Sequence, residues 1–368
     1  MKNDRDASVT PELAPSRSRG RHRLSRAIVV AVGAAALAAL AAQFASVHAA
    51  RPSSWWWLEL LRFLPYPIYL LLALLACGAA IRLGRFWLLS AALVLALVVT
   101  VFMGLSVGGL PGRVDDGWGH VRLMTYNVKA YLAEHDPAGF PALAWEVSLH
   151  DPDVFVMQDA SQLSAAREAR PGTVSALFAG RAVYTYGQYI VASRFPMRDC
   201  RPGQIPHGGE PHTYVRCTVS AHGVDFELIT VHFLSPRDGL NAARHEQLAG
   251  LDAWRENFSA RLMQAGRLGS DIASIHRPVV VAGDLNAPEG SPVVRALLDV
   301  GLRDAFSSAG RGYGYTHGHT LWPYVSILRI DHILVSDSIG VTSAHVGSER
   351  GSDHRPVIAD LLMHRSQH

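Results

Sequence analysis

An α/β domain set behind an apolar N-terminal region is the fold class this 368-residue sequence predicts. Three observations carry the prediction. Residues 27–110 are almost uncharged and strongly apolar, whereas the remainder has the composition of a globular chain. Beyond residue 110, short runs rich in β-branched residues alternate with stretches of helical spacing, as expected for helices covering sheets. Several of those runs also end on Asn, Asp or His, which gathers polar groups along one rim of the sheets.

The N-terminus comes first. Residues 1–26 hold seven Lys and Arg against three acids, a local charge of +4 in a chain whose total is +3. The rest of the chain is therefore close to neutral, at −1. That balance argues against a broad nucleic-acid-binding face on the globular part.

Three stretches in 27–110 have the length and apolarity to cross a hydrocarbon core of about 30 Å, which takes roughly 20 residues. They are 27–47, 63–81, with Pro65 and Pro67 near its start, and 86–107. "WWW" at 55–57 suits an interfacial aromatic belt before the second stretch. The Arg-rich N-terminus and the "RLGR" loop at 82–85 both belong on the cytoplasmic side by the positive-inside rule. Three spans then place everything after residue 110 outside the cytoplasm. "SVHAA" at 46–50 also resembles the end of a cleaved signal. Cleavage there leaves two spans and the same outer placement.

Residues 111–120 read as a polar linker, and 121–368 as the globular domain. Strands are predicted at 121–128, 154–158, 188–193, 213–220, 225–233, 278–286, 330–336 and 356–363, and helices at about 137–149, 239–265 and 291–299. Cys77 falls in the second apolar stretch and reads as a small apolar residue. Cys200 and Cys217 flank a Pro/Gly/His-rich turn; a cross-strand disulfide and two separate buried thiols both fit.

The strand ends carry the chemistry. "LMTYN" ends on Asn127, "VFVMQD" on Asp159, "LITVH" on His232 and "VVVAGDLN" on Asp284 and Asn286, while "GSDH" supplies Asp353 and His354 before the last strand. One such end means only turn chemistry. Five together, all oxygen donors or imidazoles, point to a metal or proton-transfer site.

These pieces, "MTYNV", "DPDVFVMQDA", "YIVASRFPM", "ITVHFLSP", "VVVAGDLNAPEGSP", "RIDHILVS" and "GSDHRPVIADL", resemble the endonuclease/exonuclease/phosphatase superfamily in that family's order over about residues 121–363. The resemblance implies a DNase I-like four-layer α/β/β/α sandwich, here preceded by three transmembrane helices, and divalent-metal-dependent cleavage of phosphoester bonds. It implies Asn127, Asp159 and Asp353 as Mg²⁺ ligands and Asp284 as the group that orients or deprotonates water. Asn286 and His354 would contact phosphate, Asp331 would fix the tautomer of His354, and His232 would hydrogen-bond the developing charge or assist the leaving group.

One position departs from the pattern, since the family carries Glu where this chain has Asp159. Aspartate is shorter by about 1.5 Å of reach while Mg–O distances stay near about 2.1 Å, so Mn²⁺ or Ca²⁺ enters as an alternative ion. Other candidates are set aside. His332 reads as a packed histidine, Ser193 and Arg194 as a turn, and His207, His212, His317 and His319 as loop histidines without a tetrahedral zinc spacing.

The reading is a multi-pass membrane protein whose partners are the lipid bilayer and a phosphate ester hydrolysed on the extracytoplasmic side, with the location favouring a lipid-linked one. An extracytoplasmic nuclease is the alternative within the enzyme class, with nucleic acid disfavoured by the near-neutral domain. A non-catalytic binder of a phosphorylated ligand, with a degenerate metal site, is the alternative outside it. Nothing in the sequence sets an oligomeric state.

Overall fold

The computed structural model describes residues 16–48, 52–64, 66–108, 118–136, 138–169, 171–206, 212–318 and 326–364. The chain divides into two units, Met1–Ala41 with Tyr66–Met103, and Ala42–Pro65 with Gly104–His368. Residues 42–65, placed by sequence in the membrane region, thus group with the globular part.

The first unit is helical. Gly20–Ser46 and Arg85–Phe102 are long and apolar enough to cross a membrane, and Ile68–Ala80 is a shorter apolar helix. Where the sequence predicts a span at 63–81, the helix runs only Tyr66–Ala80, a rise of about 22 Å. Phe63 instead ends the preceding helix, Trp56–Arg62, its N–H bonding the Leu60 carbonyl. Within this unit Val29 meets Ala76, Ala80 and Ala91, small residues that let helix backbones approach closely.

Among its described residues the second unit holds fourteen strands: β1 Ser106–Val107, β2 Trp118–Asn127, β3 Val154–Gln158, β4 Ala182–Tyr186, β5 Tyr189–Ser193, β6 Met197–Ile205, β7 His212–Ala221, β8 Val224–His232, β9 Val279–Asp284, β10 Leu302–Asp304, β11 Arg311–Gly312, β12 Asp331–Ser336, β13 Ile339–Val346 and β14 Val357–His364. Twelve of them form two six-stranded sheets, ordered β10-β12-β9-β8-β7-β6 and β13-β14-β2-β3-β5-β4.

Period-two alternation explains the layers. In β3 Val154 and Val156 face the opposite sheet, while Phe155 and Met157 face outward toward Leu143, Val147, Leu163 and Leu177 on helices. In β9 Val280 and Ala282 join the core between the sheets, and Val279 and Val281 pack under Phe258, Leu268, Val293 and Leu297. Both faces of each sheet are therefore covered, giving the expected α/β/β/α sandwich. Each fully buried Val, Leu or Phe contributes roughly 1.5–3 kcal/mol.

Two pairs are parallel, β2 with β3 and β8 with β9, and both sit at sheet centres. A parallel pair needs a crossover, supplied here by Gly139–His150 and by Gln247–Ala273. Both pairs therefore bring their carboxyl ends to the same edge of their own sheet. Gly283 shows how close the second pair lies, since a Cβ there would meet the Val231 carbonyl at 1.9 Å.

Several differences from the sequence reading have physical causes. The segment read as a turn at 201–212 begins inside strand β6, an edge strand with an irregular register near Asp199. Such an edge position tolerates Pro202 and hides the apolar alternation. Cys200 and Cys217 form a disulfide between β6 and β7. β4 and β13 are half-exposed edge strands without a strong pattern. The predicted helix 239–265 is two helices, Arg237–His245 and Gln247–Ala273, joined through Gln247 at φ 52°. Residues 207–211 and 319–325, with His207 and His319 read as loop histidines, lie outside the described residues.

Candidate functional site

Strand register assembles the site. His232, the last residue of β8, pairs with Asp284 at the end of β9. Asp284 in turn pairs with Asp331 at the start of β12. Three adjacent strands thus present an imidazole and two carboxylates in one row. From the other sheet come Asn127, ending β2, and Asp159, one residue past Gln158, which pairs with Asn127. The link between sheets is explicit, because Gln158 Nε2 donates to Thr125 Oγ1 and, across the interface, to Thr230 Oγ1 at 2.9 Å.

Asp284 is the hub, and it is buried. Its Oδ2 accepts from Asn127 Nδ2 at 2.9 Å and its Oδ1 from the Asn286 N–H at 2.8 Å. His232 Nε2 approaches Oδ2 at 3.5 Å and His354 Nε2 at 3.8 Å. The Asn286 turn is left-handed, φ 48°, which Asn tolerates better than most residues. One Nδ2 hydrogen of Asn286 is committed to the Phe233 carbonyl, leaving the second for another acceptor.

The two histidines are oriented from behind. His354 Nδ1 donates to Asp331 Oδ2 at 2.9 Å, so Nε2 faces Asp284 and Asp353. Burial works against its charge, but Asp331, Asp284 and Asp353 outweigh that and push its pKa up to about 9. His232 Nδ1 faces two acceptors, Gln188 Oε1 at 2.7 Å and Asp159 Oδ1 at 3.5 Å, and so carries a hydrogen. Its backbone N–H donates to the Tyr189 hydroxyl.

Asp159 is partly buried in the left-handed region, φ 51°. Its Oδ2 accepts from Lys129 Nζ at 2.5 Å. Burial opposes its charge, yet His232 and Lys129 hold the carboxyl well below the usual range. Lys129, itself at φ 44°, is also held charged: burial lowers its pKa, but Asp159, then Asp284 and Asp353, raise it above the ordinary value. The cation at this corner of the site is thus a lysine ammonium among three acids.

Asp353 follows Ser352, whose hydroxyl donates to the Asn127 carbonyl. Among the described residues the Oδ1 of Asp353 is buried without a hydrogen-bond partner, as is the Oδ1 of Asp331. Among the described residues two clusters have donor atoms close enough to share a cation, His317 with Asp353 and His354, and Asp284 with Asp331 and His354; neither includes Asn127 or Asp159. With His354 held charged, the donors left are chiefly carboxylate oxygens, and the orphaned Oδ1 atoms of Asp331 and Asp353 suit a hard divalent ion that keeps several waters.

All eight sequence-predicted residues, Asn127, Asp159, His232, Asp284, Asn286, Asp331, Asp353 and His354, belong to this network. Sequence reasoning missed Lys129, Gln188 and His317. His317, read as a loop histidine, stacks on His354 with ring centroids 4.4 Å apart, and burial beside His354 lowers its pKa to about 4. His332 is the packed residue expected, bonding Asp304 and the Ala287 carbonyl.

Comparison with known proteins agrees with the fold. The model of the endonuclease/exonuclease/phosphatase family matches residues 124–354. A solved endonuclease/exonuclease/phosphatase from Bacteroides vulgatus superposes with a TM-score of 0.52 at 19% identity, covering 66% of this chain and 98% of that one. Two others are a mannosyl-6-phosphatase from Bacteroides thetaiotaomicron (TM-score 0.47, 20% identity, 66% and 99% covered) and truncated TDP2 from Caenorhabditis elegans (0.49, 18%, 66% and 97%). No curated protein matches the sequence.

Proposed function

This chain belongs to the endonuclease/exonuclease/phosphatase family and is a phosphoester-hydrolysing enzyme, and from that premise we propose that it is membrane-anchored and acts outside the cytoplasm. The observation that carries the catalytic reading is the convergence of His232, Asp331 and His354 on Asp284, beside the orphaned Oδ1 atoms of Asp331 and Asp353.

In this reading Asn127, Asp159 and Asp353 hold a divalent cation, Mg²⁺ or, because of the short Asp159, Mn²⁺ or Ca²⁺. When bound, that ion neutralises phosphate charge and polarises the ester. Asp284, pinned by Asn127 and the Asn286 N–H, takes the proton of the attacking water. His354, kept charged by Asp331, donates from Nε2 to a phosphate oxygen. Asn286 contributes its free Nδ2 hydrogen to the same group. His232, oriented by Gln188, hydrogen-bonds the developing charge or protonates the leaving oxygen.

Anchoring is supported by the two apolar helices long enough to cross a bilayer, and the outer placement takes the shorter Ile68–Ala80 helix as a third crossing between them. The outer placement is supported by the basic residues at 1–26 and 82–85 and by the Cys200–Cys217 disulfide, which suits an oxidising compartment. A C-terminal alkaline phosphatase fusion should be active; an inactive one removes that placement. Proximity to a bilayer favours a lipid-linked phosphate ester as substrate. Full-length protein in detergent, assayed on a lipid pyrophosphate, sphingomyelin, bis-p-nitrophenyl phosphate and plasmid DNA with Mg²⁺, Mn²⁺ or EDTA, tests the substrate reading. Turnover of DNA alone would favour the nuclease.

A further inference from the structure

Residues 52–63 lie between the first two apolar helices, yet they group and pack with the globular unit. Trp254 Nε1 donates to the Trp56 carbonyl at 2.9 Å, and Phe63 stacks edge-on against the Trp254 ring. Glu59, fully buried, accepts from Ser291 Oγ at 2.7 Å and from Arg62 at 3.1 Å. Its other cationic neighbour is Arg261, also fully buried, at 3.5 Å.

The charges do not balance as a simple pair. Glu59 is one carboxylate shared by two guanidinium groups, and Arg62 alone would neutralise it. Arg261 makes its shortest bond elsewhere, from Nη1 to the backbone carbonyl of Asn286 at 2.9 Å. A charged donor to a buried carbonyl is stronger than a neutral one. Nε of Arg261 is tied to Asn257, and the rings of Phe63, Trp254 and Phe258 surround its guanidinium at 5.3–5.8 Å. The arginine is thus held between three rings, Asn257 and Glu59, with one arm on the loop that carries Asp284 and Asn286. Phe63 and Glu59, two walls of that cage, come from the segment between the apolar helices.

We propose that residues 52–63 are a built-in positioning element for the catalytic loop, acting through Arg261 as a clamp on the Asn286 carbonyl. The role rests on the reading of Asp284 and Asn286 as catalytic. Asn286 holds a left-handed turn while its N–H fixes Asp284 Oδ1, so a looser carbonyl frees both residues. The loop between the apolar helices thereby becomes part of the active site's support, and the globular segment from residue 112 onward lacks it.

The test uses the full chain in detergent. Arg261→Met leaves the Glu59–Arg62 pair intact, so it removes the clamp without stranding a carboxylate. Hydrogen exchange of the peptide 284–289 should accelerate about tenfold while the β7 and β14 strands keep wild-type protection. On bis-p-nitrophenyl phosphate kcat should fall about tenfold with KM within threefold. Phe63→Leu, which opens one wall of the cage with every charge in place, should give a smaller change of the same pattern, and it decides the matter where Arg261→Met does not fold. Unchanged exchange at 284–289, or faster exchange with unchanged kcat, overturns the proposal. A wild-type protein inactive on every ester would sink the functional reading, and the exchange measurement would then decide the clamp alone.

Discussion

Lys129 gives the sharpest perturbation. Its ammonium sits 2.5 Å from Asp159 Oδ2, with both side chains less than a quarter exposed. A divalent ion bound at Asp159 must compete with that contact. At an effective dielectric of about 20 the bare attraction over 2.5 Å is roughly 7 kcal/mol, an upper bound. Charged hydrogen bonds of this kind are worth about 1.5–3 kcal/mol net. Lys129→Met should therefore tighten apparent Mn²⁺ affinity by roughly tenfold to a hundredfold, since about 1.4 kcal/mol is tenfold. Titration calorimetry with Mn²⁺ on the full-length protein in detergent reads this directly. Substrate KM should rise in the same variant, because a cation near the phosphate is lost. Metal affinity that is unchanged or weaker in Lys129→Met would refute the reasoning, by showing that Asp159 is not the carboxylate the ion uses.

Further expectations concern the same cluster. Asp159→Glu restores the family's reach, so activity should shift from favouring Mn²⁺ to favouring Mg²⁺; an unaltered metal preference in steady-state assays would show that Asp159 does not set it. Gln188→Leu removes the 2.7 Å acceptor that orients His232, and kcat should drop roughly tenfold to a hundredfold with little change in melting temperature; a loss confined to stability would count against it. In EDTA, the raised pKa of His354 has a fixed sign: its stabilising contribution is full below the unfolded value of about 6.5 and is lost as pH rises through about 9. Wild type should therefore lose stability across that window while His354→Asn stays flatter, as read by chemical denaturation. Parallel curves would remove the Asp331–His354 pairing from the account.

The strands most visible in the sequence were those buried on both faces. "VFVMQ" is read at its own boundaries because all five side chains are buried and turn residues flank it. β6 was hidden because most of its side chains face solvent at a sheet edge, where neither alternation nor proline avoidance is enforced. In the site, residues at strand ends were legible because the chemistry demands acids and imidazoles there. Lys129, Gln188 and His317 were not, since each acts by facing a partner distant in sequence: Gln188 reaches His232, and His317 stacks on His354. Glu59 shows the same limit, because a lone acid between two apolar stretches reveals nothing of the arginine 202 residues away.

The central claim is that polar strand ends gathered around Asp284 hydrolyse a phosphoester with the help of a divalent ion. Its most direct test is turnover of bis-p-nitrophenyl phosphate by the full-length protein in Mg²⁺ or Mn²⁺, set beside Asp284→Asn at matched folding. The account predicts metal-dependent turnover that EDTA abolishes and that Asp284→Asn lowers by at least about a thousandfold, within the range ascribed to a positioned general base. Turnover that survives both EDTA and Asp284→Asn would contradict it.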